Sequence, residues 1–249
     1  MSDPITVSIV AGVSTLRIDR PGKRNALTAT MYDIMSDALA FGDSSSQVRC
    51  FLITGMPSVF SAGSDVDELR TFAENGAIGE STVHFLKQLA LTDKPIVAAV
   101  DGLAVGIGAA LLFHCDYFVA SEWSTFSAPF VDLGLVPEAA STLLAPQLMG
   151  YQRAFELLVM GEQFNAQRAY QAGFVNKVVA AEDVEPIAVA AARAIAAKPP
   201  EAVRTALRFM RGERLDVAQR IVKETESFTE LMRSPAARDA LQAFINRQR

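Results

Sequence analysis

The sequence predicts an α/β fold with largely parallel, buried strands, and three observations carry that reading. First, two short apolar runs, Arg49–Thr54 and Pro95–Val100, are each followed by a glycine loop and then by a helical pattern. That repeated order is what parallel strands joined by crossover helices need. Second, the runs are almost continuously apolar, as strands covered on both faces are. Third, 249 residues, half of them hydrophobic and a fifth charged, are enough to bury one large core.

The elements follow in order. Ile5–Val10 alternates with period two, Ala11-Gly12 supplies a two-residue turn, and Val13–Asp19 alternates again, which predicts a hairpin. Pro21-Gly22 ends it. Thr28 is placed to cap a helix running through Met31, Ile34, Met35, Ala38 and Leu39. After residue 138 the pattern turns helical, over Ala139–Met149, Tyr151–Met160 and Asn165–Ala172. A last strand is expected at Val175–Val179 and a helix at Val184–Ala197. Lys198-Pro199-Pro200 then punctuates the chain. Glu201–Arg211, Leu215–Met232 and Ala236–Asn246 are helical throughout and too thin to bury a core of their own. The expected organisation is therefore a core over residues 1–197 and a helical tail over 198–249, packed on its own core or on another subunit.

Charge and composition narrow the function. A net charge of −5 with no long single-sign run gives no basic footprint for nucleic acid. The most apolar stretch, Leu103–Phe113, is too short to span a bilayer, so no membrane partner is expected. Met1-Ser2-Asp3-Pro4 shows no signal-peptide pattern, and Asn246–Arg249 carries no Ser-Lys-Leu peroxisomal address. Cys50 and Cys115 sit in apolar runs as buried free thiols, which fits a reduced, cytoplasmic setting. Two histidines without Cys or carboxylates at ligand spacing make no metal site. His114 sits on an apolar run as a core histidine, and His84 lies on an amphipathic helix, exposed or at a pocket edge.

Two loops and one acid remain as candidate chemistry. Phe60-Ser61-Ala62-Gly63-Ser64-Asp65 is a tight loop of small residues, with Asp65 placed to start a helix. Such a loop leaves backbone N–H groups uncovered beside a helix N-terminus, although alone it is equally a plain strand-to-helix turn. Asp101-Gly102-Leu103-Ala104-Val105-Gly106-Ile107-Gly108 repeats the arrangement. It is not a dinucleotide fingerprint, because Leu111 occupies the third glycine position. Its functional reading is a second exposed N–H aimed at the same oxygen as the first; close helix packing would also want its small residues. Glu138 follows Pro137 in an apolar stretch. Taken alone, a glutamate there complements a helix N-terminus; beside two such loops it becomes a candidate acid/base. Asp132 is a second acid with nothing in its position to distinguish it, and Asp67 with Asp65 caps or solvates the helix that follows.

At this point the chain resembles the crotonase, or enoyl-CoA hydratase/isomerase, superfamily. The resemblance covers essentially the whole length. It rests on Arg20-Pro21-x-Lys23-Arg24-Asn25-Ala26-Leu27, Phe60–Asp65, Lys94–Gly102, Cys115-Asp116, Phe126, Leu133–Pro137 and Ala169-x-x-Ala172-Gly173-Phe174-Val175. It implies a spiral of ββα units with a C-terminal helical region that assembles trimers, often paired into hexamers. It also implies an acyl-CoA thioester substrate, with coenzyme A part of that substrate and no separate cofactor, and a place in fatty-acid β-oxidation. The positions matching the oxyanion-hole donors are the backbone N–H groups of Ser64 and Ile107. Arg24 and the loop Ser61, Ala62, Gly63 and Asp65 match the walls that hold the coenzyme, and Leu69, Gly106 and Phe130 are further positions expected to bind the substrate or its coenzyme.

One departure decides the activity the resemblance implies. The two glutamates of the hydratases match Ala110 and Phe130 here, and neither can carry a proton. Glu138 falls where peroxisomal-type Δ3,Δ2-enoyl-CoA isomerases place their base. The expectation is an isomerase in which Glu138 takes a proton from carbon 2 of a 3-enoyl thioester and returns it at carbon 4. Phe130, Leu135, Val136 and Leu143 should raise its pKa, and a helix starting near Ala139 should lower it. The rivals are a ring-opening epoxide isomerase of the phenylacetyl-CoA kind, a hydratase with a second acid from elsewhere, and a non-catalytic acyl-CoA-binding scaffold.

Overall fold

The computed structural model describes residues 4–247. The expectations about a signal peptide and a peroxisomal address rest in part on residues 1–3 and 248–249, which lie outside the described residues. The hairpin forms as expected: β1 (Ile5–Val10) runs antiparallel to β2 (Val13–Ile18), with Ile5 opposite Ile18. Helix α1 (Ala29–Ser44) follows. Thr28 stands at its N-cap position but makes no side-chain cap; the Ala29 N–H is taken instead by the Glu68 carboxylate, 3.0 Å away.

The chain then repeats one plan. β3 (Cys50–Thr54) is followed by β4 (Val59–Ser61), α2 (Val66–Asn75) and α3 (Glu80–Leu91). β5 (Ile96–Val100) is followed by β6 (Leu103–Val105) and the short α4 (Ile107–Ala110). β7 (Tyr117–Ser121) is followed by β8 (Thr125–Ser127) and, after a loop, by α5 (Ser141–Met149). The remainder is α6 (Tyr151–Leu158), β9 (Phe164–Asn165), α7 (Ala166–Gln171), β10 (Lys177–Val179) and α8 (Ala181–Ala196). Three helices close the chain: α9 (Pro200–Arg211), α10 (Arg214–Met232) and α11 (Pro235–Arg247).

The first strand of each turn joins one six-stranded sheet, ordered β1-β2-β3-β5-β7-β10, parallel from β2 onward. The second strand of each turn joins another sheet, ordered β4-β6-β8-β9. This is the ββα spiral. β3 and β5 are buried at every position. Cys50, Leu52, Val97 and Ala99 face the alanine stripe Ala188, Ala192 and Ala196 of α8, while Phe51, Ile53, Ile96 and Ala98 face the main core. That two-sided cover is why these strands are apolar without alternation.

Two expectations need correction. The segments expected as plain glycine loops begin with the strands β4 and β6, so the second sheet went unread. Helix α5 begins at Ser141 rather than Ala139, because Ala139 and Ala140 are left-handed at φ 62° and 53°. The helical tail packs back on its own core. Arg211 pairs with Asp116 and donates to the Thr92 carbonyl at 2.8 Å, Arg214 donates to the same carbonyl at 2.7 Å, and Arg233 reaches Gly76 O at 3.0 Å. Among the described residues no helix is long and apolar enough to cross a membrane.

Candidate active site

The two loops are brought back to back by close backbone packing. Gly63 sits at φ +90°, and a methyl group there would lie 2.8 Å from the Val105 carbonyl oxygen. A methyl on Gly108 would lie 2.8 Å from the Ser61 side chain. Only glycine permits both approaches. Behind the first loop, Asn25 is fully buried and its amide donates to Ile18, Val59 and Phe60 carbonyls at 3.0–3.1 Å. Ser61 is buried too: its hydroxyl donates to Asn25 O at 2.9 Å and accepts from Gly63 N–H at 3.1 Å. Ser61 therefore shapes the loop from behind and is not on the wall of either cavity, which corrects its expected role in holding the ligand.

The expected N–H donors are left open. The bridge between Leu27 and Ser64 uses Gly63 O and Asp65 N–H, so the Ser64 N–H stays outside it. Ile107 opens α4, and the first N–H groups of a helix have no partner within it. Asp65 caps α2 through the Asp67 N–H at 2.8 Å and pairs with Arg20.

Two connected cavities meet at these loops. The outer, of about 470 Å³, is lined by Lys23, Arg24, Arg70, Ala62, Ser64 and Asp65, among others. The inner is narrow and apolar, about 70 Å³, and shares Ala62, Ser64, Val105 and Phe244 with the outer. Its walls carry Gly63, Leu69, Gly106, Ile107, Phe130 and Glu138, together with Phe72 and Phe228. All the expected site residues except Ser61 therefore line one or the other. Among the described residues Glu138 is the only ionisable side chain on the inner wall. Ala110 is fully buried off that wall, and Asp132 lies outside it beside Gly161. His84 is exposed and away from both cavities.

Glu138 is 5% exposed, and its Oε2 has no hydrogen-bond partner among the described residues. Burial, and then the charge of Glu224, push its carboxyl from 4.5 up to about 8. The expected opposition from a helix N-terminus is absent for a physical reason. α5 starts three residues on, and the Glu224 carboxylate already takes its free Ala140 and Thr142 N–H groups, at 2.6 and 3.1 Å. The backbone of Glu138 is held by Ser141, whose N–H donates to Glu138 O at 3.1 Å, and whose hydroxyl also donates there. His114 is a buried core histidine, as expected; its Nε2 bonds Ala139 O at 2.7 Å, and burial lowers its pKa to about 4, so it stays neutral.

Sequence reasoning missed Glu224, Phe228 and Phe244, all from the tail. Glu224 did leave a signal. It sits on the buried stripe Val217, Ile221, Glu224, Phe228 and Met232 of α10, where a charge has to be answered by a partner.

A spiral of ββα turns, two loops with open N–H groups and a buried carboxyl on an apolar chamber behind a charged mouth are together the arrangement of the crotonase fold. Residues 8–249 match the family model described as enoyl-CoA hydratase/isomerase, and the chain belongs to that family. The chain is similar to 4-chlorobenzoyl coenzyme A dehalogenase-2 of Arthrobacter sp, 33% identical over 78% of this chain and 73% of that protein. It is similar to 1,2-epoxyphenylacetyl-CoA isomerase of Escherichia coli strain K12, 31% identical over 80% of this chain and 78% of that protein. A short-chain-enoyl-CoA hydratase of Clostridium acetobutylicum is 30% identical over 95% of this chain and 92% of its own length. Among solved structures, Pseudomonas aeruginosa OdaA superposes with a TM-score of 0.92 at 36% identity, covering 98% of this chain and 99% of that one. The chain is thus an enzyme of the hydratase/isomerase family acting on coenzyme A thioesters.

Proposed function

We propose that this enzyme is an enoyl-CoA isomerase that moves a double bond from position 3 to position 2. The observation that supports the reading is that Glu138 stands alone, among the described residues, as an ionisable group on the inner chamber. Hydration needs one group to activate water and another to deliver a proton, whereas a 1,3-proton shift needs one group twice. The Ser64 and Ile107 N–H groups stabilise charge on the thioester oxygen, each worth about 3 kcal/mol in a dry site. Glu138 takes the carbon-2 proton, leaving a dienolate, and the protonated carboxyl returns it at carbon 4. A carboxyl at about 8 suits both halves, because it gives up and recovers a proton near neutral pH.

Lys23, Arg24 and Arg70 at the outer mouth suit the phosphates of coenzyme A. The assembly that the family resemblance implies, a homotrimer or a hexamer built as a dimer of trimers, is supported by α9, which has no buried residue and leaves Phe209 and Met210 about four-fifths exposed. One rival keeps a specific observation in its favour. Phe72, Phe130, Phe228 and Phe244 line the chamber and suit a flat cyclic acyl group, like that of the epoxyphenylacetyl-CoA isomerase relative.

The test is a pair of assays with Glu138→Gln run beside the parent. Isomerisation of trans-3-hexenoyl-CoA without hydration of crotonyl-CoA, abolished by the substitution, is the expected result. Hydration that survives Glu138→Gln would overturn the single-acid reading. Inactivity on both, with turnover of a ring-bearing thioester, would favour the rival.

A further inference from the structure

We infer that Glu224, on α10 of the C-terminal tail, is a positioning residue for Glu138: it clamps the acid's loop and sets the pH at which the acid works. The inference rests on Glu138 being the proton-carrying group. Glu224 is 4% exposed and lines neither cavity, so it does not touch the substrate. Its carboxylate accepts the Ala140 N–H at 2.6 Å and the Thr142 N–H at 3.1 Å, and also takes the Thr142 hydroxyl. Arg220, one turn earlier on α10, donates to that same hydroxyl at 3.0 Å.

These contacts fix a segment that would not hold its shape alone. Ala139 and Ala140 are both left-handed, a conformation alanine keeps only where its surroundings impose it. His114 holds Ala139 O from one side and Glu224 holds Ala140 N–H from the other. Glu138 is the residue before this pair, so its carboxyl is aimed by the clamp.

Capping alone does not account for a glutamate here. A neutral Ser, Thr or Asn caps a helix without burying a second negative charge. Glu224 buries that charge close to Glu138, where it disfavours ionisation of the acid and keeps a proton on it to higher pH. The other groups around the pair do not mask this. His114 is neutral, and Arg211 and Arg214 act on it rather than on Glu138. Burial keeps the Tyr32 hydroxyl protonated. Burial also raises Glu224 itself to about 7 while Arg220 favours its charged form, so Glu224 is ionised where Glu138 titrates at about 8. The tail is therefore part of the acid/base apparatus, through Glu224, as well as a wall of the chamber, through Phe228 one turn on.

The experiment is the pH profile of kcat/KM for Glu224→Gln in the full-length enzyme. The carboxamide keeps an acceptor for Ala140 and loses the charge. The acid limb is expected to move to lower pH by about one unit, the size of one removed like charge, with KM nearly unchanged because the residue touches no substrate. An unmoved limb, with activity lowered equally at every pH, would reduce Glu224 to a structural cap and overturn the inference. Glu224→Asp covers the case of a poorly folded amide. It keeps the charge and shortens the reach, so the limb should stay and kcat should fall about tenfold through mispositioning. An aspartate variant with full kcat would overturn the clamp. Activity surviving in Glu138→Gln would instead strike down the underlying reading, which keeps the two failures distinct.

Discussion

Replacing Glu138 by Gln should make the folded protein more stable, and increasingly so as pH rises. The carboxyl is buried, unpartnered at Oε2, and moved from 4.5 to about 8. Between those values the folded state holds a proton that the unfolded chain releases. With fewer protons bound on unfolding, stability must fall as pH rises through that window. At 1.36 kcal/mol for each pH unit, the acid costs nothing below 4.5, about 3 kcal/mol at pH 7 and about 5 kcal/mol above 8. Glutamine fills the same space and never ionises, so it escapes that cost. The assay is urea unfolding of both proteins at pH 4.5, 7 and 9, at one protein concentration because subunit association also shifts apparent stability. The difference between them should be near zero at pH 4.5 and largest at pH 9. A difference that is the same at all three values would mean that the carboxyl is solvated, and the dry-chamber argument would fail with it.

Two further outcomes follow from the geometry. Gly63→Ala places a methyl 2.8 Å from the Val105 carbonyl at a left-handed position; it should lose about 2 kcal/mol of stability, read by the same unfolding assay. By displacing the Ser64 N–H it should also lower kcat about 10²-fold, and a variant with normal turnover would show that Ser64 is not a donor. Light scattering should report three or six copies of the chain, and a monomer would sink the assembly that the family resemblance implies.

How far the sequence carried depended on how local each feature is. β3 and β5 were legible because a strand buried on both faces writes its whole length in apolar residues. β4, β6 and β8 were not, because three residues are too few to show a period and their strand state is imposed by the neighbouring strands. Thr28 looked like a cap from its type and place, yet Glu68 from a later helix supplies the acceptor. Ala139 and Ala140 carry no local sign of a left-handed conformation; their dihedrals are set by His114 and Glu224, 25 and 84 residues away in sequence. The acid itself was singled out through the family resemblance, which puts Ala110 and Phe130 where the hydratases carry their glutamates and Glu138 where the isomerases carry their base. Its environment could not be read that way, because a tail that looked like an assembly element also finishes the chamber.

That division bears on how one fold serves different reactions. The relatives compared above dehalogenate, isomerise or hydrate coenzyme A thioesters at nearly equal identity to this chain. Overall similarity therefore does not choose among the chemistries, and the proposed one rests on the wall beside the open N–H groups. In this chain that wall presents one carboxyl among phenylalanines and leucines. An oxyanion hole alone makes carbon 2 acidic; what happens next depends on where protons can be put down. On the proposed reading one carrier, whose proton affinity is raised by burial and by Glu224, lifts the proton from one carbon and returns it at another. The chemistry proposed here then rests on Glu138 being, among the described residues, the one ionisable side chain on the chamber wall, with the Glu224 carboxylate held behind it on Ala140 and Thr142.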